Sequence, residues 1–257
     1  MKSALIGYTG FVGGTLMAQR SFDDLYNSKN INDIRGQSYD ELYISGLPAT
    51  KWIANQKPQE DWDNVLGLFG HIKTVQAKTV YLISTVDVYG NNLSADENTP
   101  IDLANLHAYG KNRLLFERMV SEIFPNIYIV RLAGLFGQGL KKNIIFDFLN
   151  NNQVEKIESR NSFQFYNMAY LNRDLQKIVQ HGLRAVNLVP EPVKVKEVAQ
   201  SCFGKAFENH LATQIVSYNV KSIHAGVWGS NNGFMYSKES ILKDIRTFAN
   251  NYKNEIK

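Results

Sequence analysis

Three glycines near the start of the chain, Gly7, Gly10 and Gly13, stand at a G-x-x-G-x-x-G spacing directly after the apolar run Ala4-Leu5-Ile6. Each glycine answers a different demand of one chemistry. A tight strand-to-helix turn, close approach of backbone N–H groups to a pyrophosphate, and close packing of a helix on a strand all exclude a side chain. An anion held there sits at a helix N-terminus, where unpaired N–H groups and the helix dipole favour negative charge. A glycine turn with no ligand has the same spacing; the strand before it and the helix after it favour a dinucleotide. Gly7, Thr9, Gly10, Phe11, Val12 and Gly13 are therefore the expected cradle.

A second set of residues bears on which dinucleotide. About twenty positions after the glycine turn, NAD sites carry an acid for the ribose hydroxyls. Here the chain reads Asn27-Ser28-Lys29, with no carboxylate to repel a 2′-phosphate and a lysine able to pair with one. NADP(H) is expected ahead of NAD(H). Ser45 and Gly46, in the turn that closes the third expected strand, complete this edge of the cofactor site.

These residues need a scaffold, and the pattern supplies one. Helices are expected at 11–20, 61–75, 109–124, 144–149, 171–181 and 195–202, the last stopping at Gly204, with a final helix capped by Ser237. Strands are expected at 24–26, 42–44, 79–83, 127–132 and 185–189. Strands alternating with helices argue for right-handed βαβ units and a mostly parallel sheet. The expected fold is thus α/β, a Rossmann-like doubly wound parallel sheet forming a single domain over 1–257. A small C-terminal substrate lobe is built mainly from 137–168 and 187–240, where segments rich in Asn, Gly and aromatics interrupt the pattern.

Composition narrows the class. The 257 residues carry a formal charge of +4 with no clustered basic run, so nucleic acid is not an expected partner. Cys202 is the single cysteine and the N-terminus has no signal-peptide layout, which points to the cytoplasm. No apolar run is long enough to span a bilayer, so no membrane partner is expected. The five histidines, His71, His107, His181, His210 and His224, show no paired ligand spacing, and no metal site is expected.

Beyond the fourth strand come Ser84-Thr85-Val86-Asp87-Val88-Tyr89-Gly90 and then Tyr109-Gly110-Lys111-Asn112-Arg113. With the glycine turn and Asn64-Val65-Leu66-Gly67, these four ordered motifs make the first half of the chain resemble the extended short-chain dehydrogenase/reductase family. Its members include nucleotide-sugar epimerases, dehydratases and keto-sugar reductases. The resemblance implies that Thr85 hydrogen-bonds the substrate oxygen, that Tyr109 exchanges a proton with it, and that the nicotinamide lies near Ser84, Thr85, Tyr109 and Ala133. A free tyrosine ionises near pH 10, so a neighbouring cation must favour its phenolate if it is to act as a base. The family places a lysine four residues on, one helical turn away; here that position is Arg113, implied to serve both Tyr109 and the nicotinamide ribose. Lys111 points to another side of the helix.

Two departures shape the expected activity. The dehydratases' Thr-Asp-Glu is Thr85-Val86-Asp87 here, so a general acid is missing and dehydration is disfavoured; a lone Asp87 defaults to a solvated or capping role. The family's R-x-x-N-x-Y-G is Arg131-Leu132-Ala133-Gly134-Leu135-Phe136-Gly137, with a glycine where an asparagine meets the substrate diphosphate. Lys141, Lys142 and Arg160 are further candidates for an anion, with a solvated surface role as their default. The resulting expectation is an NAD(P)-dependent oxidoreductase, a reductase acting on a carbonyl or alcohol carbon of a sugar or nucleotide sugar, with a homodimer formed through the Tyr109 helix as in relatives. The alternatives are a nucleotide-sugar epimerase and a catalytically impaired cofactor-binding sensor or scaffold.

Overall fold

The computed structural model describes residues 1–255. The elements in chain order are β1 (Ser3–Ile6), α1 (Phe11–Gln19), β2 (Asp24–Tyr26), β3 (Ser38–Ile44), α2 (Lys51–Gln56), α3 (Pro58–Ile72), β4 (Gln76–Thr85), α4 (Ala108–Ile123) and β5 (Ile127–Leu132). They continue with β6 (Gly134–Phe136), α5 (Ile144–Asn150), β7 (Ser162–Phe163), β8 (Phe165–Asn167), α6 (Leu171–Gln180), β9 (Ala185–Leu188), β10 (Val193–Lys194), α7 (Val195–Phe203) and α8 (Lys238–Glu255). The six-stranded sheet has the order β2-β1-β3-β4-β5-β9, and β1 runs parallel to both β2 and β3, as β3 does to β4. The Rossmann-like α/β fold read from the sequence is the fold observed.

The chain forms two compact units, one of residues 1–92, 99–131 and 171–186, the other of residues 93–98, 132–170 and 187–255. In the first, strand alternation sorts side chains onto two faces of the sheet. Ala4, Ile6, Leu42, Ile44, Val80 and Leu82 pack with Val65 and Ile72 of α3 and Phe116 and Val120 of α4. The intervening positions place Tyr43, Tyr81 and Tyr128 in a row across neighbouring strands, with ring centroids 4.1 and 6.0 Å apart. Arg20, at the end of α1, caps that row: its guanidinium lies 4.7 Å from the Tyr43 ring centroid and donates to the Tyr43 hydroxyl and, at 2.7 Å, to Glu41. Tyr81 donates to the same carboxylate at 3.0 Å. α1 contacts α6, whose Leu171, Leu175 and Ile178 are buried.

In the second unit, β6 pairs with β8 in parallel and β7 with β10 antiparallel. α7 ends at Gly204 in the left-handed conformation, as expected for a helix stop, and contacts α8. Gln164 is buried, donating to the Pro190 and Val220 carbonyls at 2.7 and 2.8 Å and accepting from the Val220 N–H at 2.9 Å.

Where the elements differ from the sequence expectation, local chemistry gives the reason. Residues 61–75 are not all helix: α3 begins earlier, with Pro58 at its first position where no N–H is needed, and ends at Ile72 in a hydrogen-bonded turn. The six-residue α2 is too short to show helical periodicity and has no sequence counterpart. β3 and β4 are longer than their apolar centres.

Candidate functional site

In a sheet of this order the chain passes from β1 to β2 on one side and then crosses β1 to β3 on the other. A ligand belongs in the crevice at the carboxyl ends of the strands flanking that switch point. Gly7 follows β1 there and Ser45 follows β3. Gly7 has φ +90°, and a Cβ on it would lie 2.5 Å from the Ser45 carbonyl oxygen. A Cβ on Gly13 would lie 2.1 Å from the Gly7 oxygen, so α1 presses directly on the turn. Gly10 is the N-cap of α1, has no side-chain capping bond, and is exposed with Thr9; the first turn of α1, with Phe11 and Val12 partly buried, carries no acid. An uncapped helix start without carboxylates fits a pyrophosphate.

The end of β2 is closely tied. The Asn27 amide donates to the Tyr8 hydroxyl at 2.9 Å, and its oxygen accepts from the Lys29 N–H at 2.9 Å. Ser28 and Lys29 are exposed. Ser45 is spent on structure, its Oγ donating to the Ile6 carbonyl at 2.9 Å, and Gly46 is exposed beside it.

β4 ends in Ser84 and Thr85. Ser84 donates to Glu117 of α4, which also binds Arg131 through two nitrogens at 3.1 and 2.6 Å; Arg131 in turn donates to the Tyr89 hydroxyl at 2.8 Å. This buried network locks the end of β4 to α4. Thr85 Oγ1 accepts from the Asp87 N–H at 3.1 Å and donates to the Asp87 carboxylate at 3.3 Å, so its hydroxyl is oriented by its own chain. Asp87 does more than cap: its other oxygen holds Lys51 Nζ at 2.5 Å.

Tyr109 lies in the first turn of α4, whose N-cap is His107. His107 Nδ1 accepts from the Gly110 N–H at 3.1 Å, which leaves Nε2 to carry the proton in the neutral ring, 4.0 Å from Asp87 Oδ1. A Cβ on Gly110 would lie 2.1 Å from the Asp87 carbonyl oxygen, so α4 starts against the segment that follows Thr85. The Tyr109 N–H donates to Asn55 of α2 at 2.9 Å. Thr85 and the first turn of α4, which carries Tyr109, thus meet at Asp87, with Lys51 bound to that carboxylate and Asn55 to the Tyr109 N–H.

Arg113 is held against α3. Its guanidinium forms two bonds to Asp61 of α3, at 2.8 and 3.0 Å, and donates to the Pro48 carbonyl at 2.5 Å. Asn112 donates to the same carboxylate at 2.8 Å. The pair is almost fully buried, and the Arg113 carbon lies 4.5 Å from the Tyr109 ring centroid. Burial pushes the Tyr109 hydroxyl above its ordinary ionisation range; Arg113 and Lys51 pull it down, while Asp87 and Asp61 raise it further. His107 is held below its usual value by burial and by Lys51. Lys111 is exposed.

In the second unit, Ala133 lies between β5 and β6, and Gly134 pairs with Phe165. A Cβ at Gly134 would come within 2.9 Å of the Gln164 carbonyl, so an asparagine has no room there. Arg160 binds Glu158 through two nitrogens at 2.8 Å and the Leu211 carbonyl at 3.1 Å, which makes it a loop clamp; Lys141 and Lys142 are exposed. Among the described residues, no group of three or more His, Cys, Asp and Glu is placed to hold a metal, and no helix is long and apolar enough to cross a membrane.

Sequence reasoning missed Lys51, Asn55 and Asp61. Lys51 and Asn55 belong to the unforeseen α2. Asp61 lay inside a helix read for its apolar face, and only the unusual Arg113 hinted that a buried acid must answer it.

No protein-family model matches the chain, and no curated protein does. Solved structures do. A UDP-galactose 4-epimerase matches over 100% of both chains with a TM-score of 0.74 at 15% identity. A dTDP-4-dehydrorhamnose reductase from Bacillus anthracis in complex with NADP matches over 96% of this chain and 98% of its own, TM-score 0.74, at 16% identity. MoeE5 in complex with UDP-glucose and NAD matches over 100% of both, TM-score 0.74, at 14% identity. The chain therefore shares the Rossmann-like α/β fold of these structures.

Proposed function

We propose that the protein is an NAD(P)-dependent oxidoreductase that reduces a carbonyl carbon of a sugar or nucleotide sugar. The observation that carries this reading is that Thr85 and the first turn of α4, which bears Tyr109, both meet Asp87, with the glycine turn, Ser45 and Thr85 all at the carboxyl ends of neighbouring strands of one sheet. The glycine turn would hold the pyrophosphate, and the bound nicotinamide would supply the hydride. A phenol that burial keeps protonated suits donation of a proton to the oxygen of a carbonyl undergoing reduction. Thr85, oriented by Asp87, would hold that oxygen. The structures of like fold include a reductase with NADP and a protein bound to UDP-glucose and NAD, which supports nicotinamide cofactors and diphosphate-linked sugars as the classes to try.

The cofactor of choice is NADP(H), held at Lys29, with Ala133 near the nicotinamide and residues 137–168 and 187–240 forming the substrate lobe. The protein is proposed to work in the cytoplasm, as a homodimer through α4, without nucleic-acid or membrane partners. A second reading has one observation in its favour. Because Arg113 is committed to Asp61, the site lacks the free cation of its relatives at that position, as a cofactor-binding sensor would.

The test is turnover of NADPH with UDP- and dTDP-linked keto sugars, alongside calorimetry of both reduced cofactors. Reduction of any of these sugars, lost in Tyr109→Phe, supports the oxidoreductase. Stoichiometric cofactor binding with no turnover across the panel supports the sensor instead.

A further inference from the structure

Glu117 and Arg131, the buried pair that joins α4 to β5, also line a cavity of about 350 Å³. Arg118 and the apolar side chains of Ile101, Leu114 and Ile129 line it with them. Small-molecule sites run from about 300 to 1,000 Å³, so the space suits a compact ligand. The cavity lies within the first compact unit. None of the residues assigned above to cofactor binding or proton transfer lines it, so it is a separate place on the molecule.

The helix and strand periods bring these groups together. Leu114, Glu117 and Arg118 share one face of α4 at i, i+3 and i+4, and Ile129 and Arg131 share one face of β5. This is not the face that Asn112 and Arg113 turn to Asp61 of α3. Arg131 spends three of the five N–H groups of a guanidinium, two on Glu117 and one on Tyr89. One N–H on each terminal nitrogen is left without an acceptor among the described residues. Arg118 is exposed and makes no hydrogen bond or ion pair among the described residues. With Glu117 answering Arg131, the lining carries one positive charge in excess.

We infer that this cavity binds a small apolar monocarboxylate. Arg118 and the unspent N–H groups of Arg131 hold its carboxylate, and Ile101, Leu114 and Ile129 take its hydrocarbon part. A guanidinium fork matches the two oxygens of a carboxylate. One negative charge answers the one positive charge in excess. A phosphate dianion would overshoot that balance beside the Glu117 carboxylate and would leave the three apolar walls uncovered. A neutral alcohol of the same length would cover the walls and leave Arg118 unanswered. The site needs neither cofactor nor sugar, so the inference stands apart from the oxidoreductase reading.

The experiment titrates the full chain with hexanoate and follows the δ1 methyl NMR signals of Ile101 and Ile129, each assigned by its loss in Ile101→Val or Ile129→Val. Hexanoate at millimolar concentration should shift both signals and saturate them. Inorganic phosphate and 1-hexanol should each bind about tenfold more weakly. Arg118→Met should weaken hexanoate about tenfold, the loss of one hydrogen bond to a charged group. Lys111→Met, which removes another exposed cation of α4, should stay within about twofold of the parent. Should Arg118→Met not fold, Arg118→Gln carries the same expectation. Methyl signals that hexanoate leaves in place overturn the inference. So does phosphate or 1-hexanol binding as tightly as hexanoate, or a neutral Arg118 variant that binds hexanoate as the parent does.

Discussion

The guanidinium of Arg113 lies over the ring of Tyr109, 4.5 Å from its centroid, while both of its terminal nitrogens hold the carboxylate of Asp61. A cation in contact with an aromatic face is attracted by the ring quadrupole. It is also the keystone between α4 and α3, since Asn112 reaches the same carboxylate. Arg113 is thus part of the packing that sets the position of Tyr109.

Breaking that pair should therefore register first as stability. Asp61→Ala leaves a buried guanidinium unpaired and should cost about 3–5 kcal/mol. Arg113→Lys loses the two-pronged grip and the Pro48 contact, and should also lower stability. Urea unfolding of both variants measures this; midpoints equal to the parent's would refute the packing role.

Tyr109→Phe keeps the ring under Arg113 and removes only the hydroxyl. It should fold and bind NADPH with affinity within a few fold of the parent, yet lose most turnover. Single-turnover oxidation of bound NADPH reads the chemical step directly, and a rate equal to the parent's would show that Tyr109 moves no proton.

Gly13→Ala tests the turn itself. Its Cβ would fall 2.1 Å from the Gly7 oxygen, so the turn or α1 has to shift. Cofactor binding should drop at least tenfold by calorimetry. Gly14→Ala, whose Cβ finds nothing nearer than 3.8 Å, should bind as the parent does.

Lys29→Ala should weaken NADPH binding and leave NADH binding nearly unchanged, because only the former carries a 2′-phosphate. Equal losses for both cofactors would assign Lys29 to something other than that phosphate.

Cys202 supplies a pH test. Burial pushes its thiol up to about 11 from 9.0, and Sγ faces the Leu242 carbonyl at 3.4 Å. A group that holds its proton more tightly when folded adds stability below its unfolded pKa and loses it as pH rises through the folded one. The Cys202 contribution should thus decline between about pH 9 and 11, a decline absent in Cys202→Ala. Thiol reagents at pH 8 should react only as fast as the chain opens.

The scaffold was legible because its signals are local. Ala4-Leu5-Ile6 with the glycines after it, and the apolar face of 109–124, declare a strand, a turn and a helix from neighbouring residues alone. Thr85 and Tyr109 were legible through motif order. What stayed hidden were pairings across sequence: nothing at Asp61 announces Arg113, and nothing at Lys51 announces Asp87. Such partners are chosen by how α2, α3 and α4 meet. Gly134 shows the same limit, since its reason is a carbonyl thirty residues on.

The row of Tyr43, Tyr81 and Tyr128 has a consequence for how the sheet finds its alignment. A parallel pair that slips by one residue turns every side chain to the opposite face. For β4 against β3, such a slip would strip Tyr81 of its stacking partner and of the Glu41 carboxylate, and drive a phenol among Val65, Ile72 and Val120. An all-apolar sheet interior would tolerate the wrong alignment far better. The tyrosines act as a keyed edge: only one alignment lets Arg20, Glu41 and both hydroxyls meet, so misaligned chains gain little from collapsing and stay free to try again.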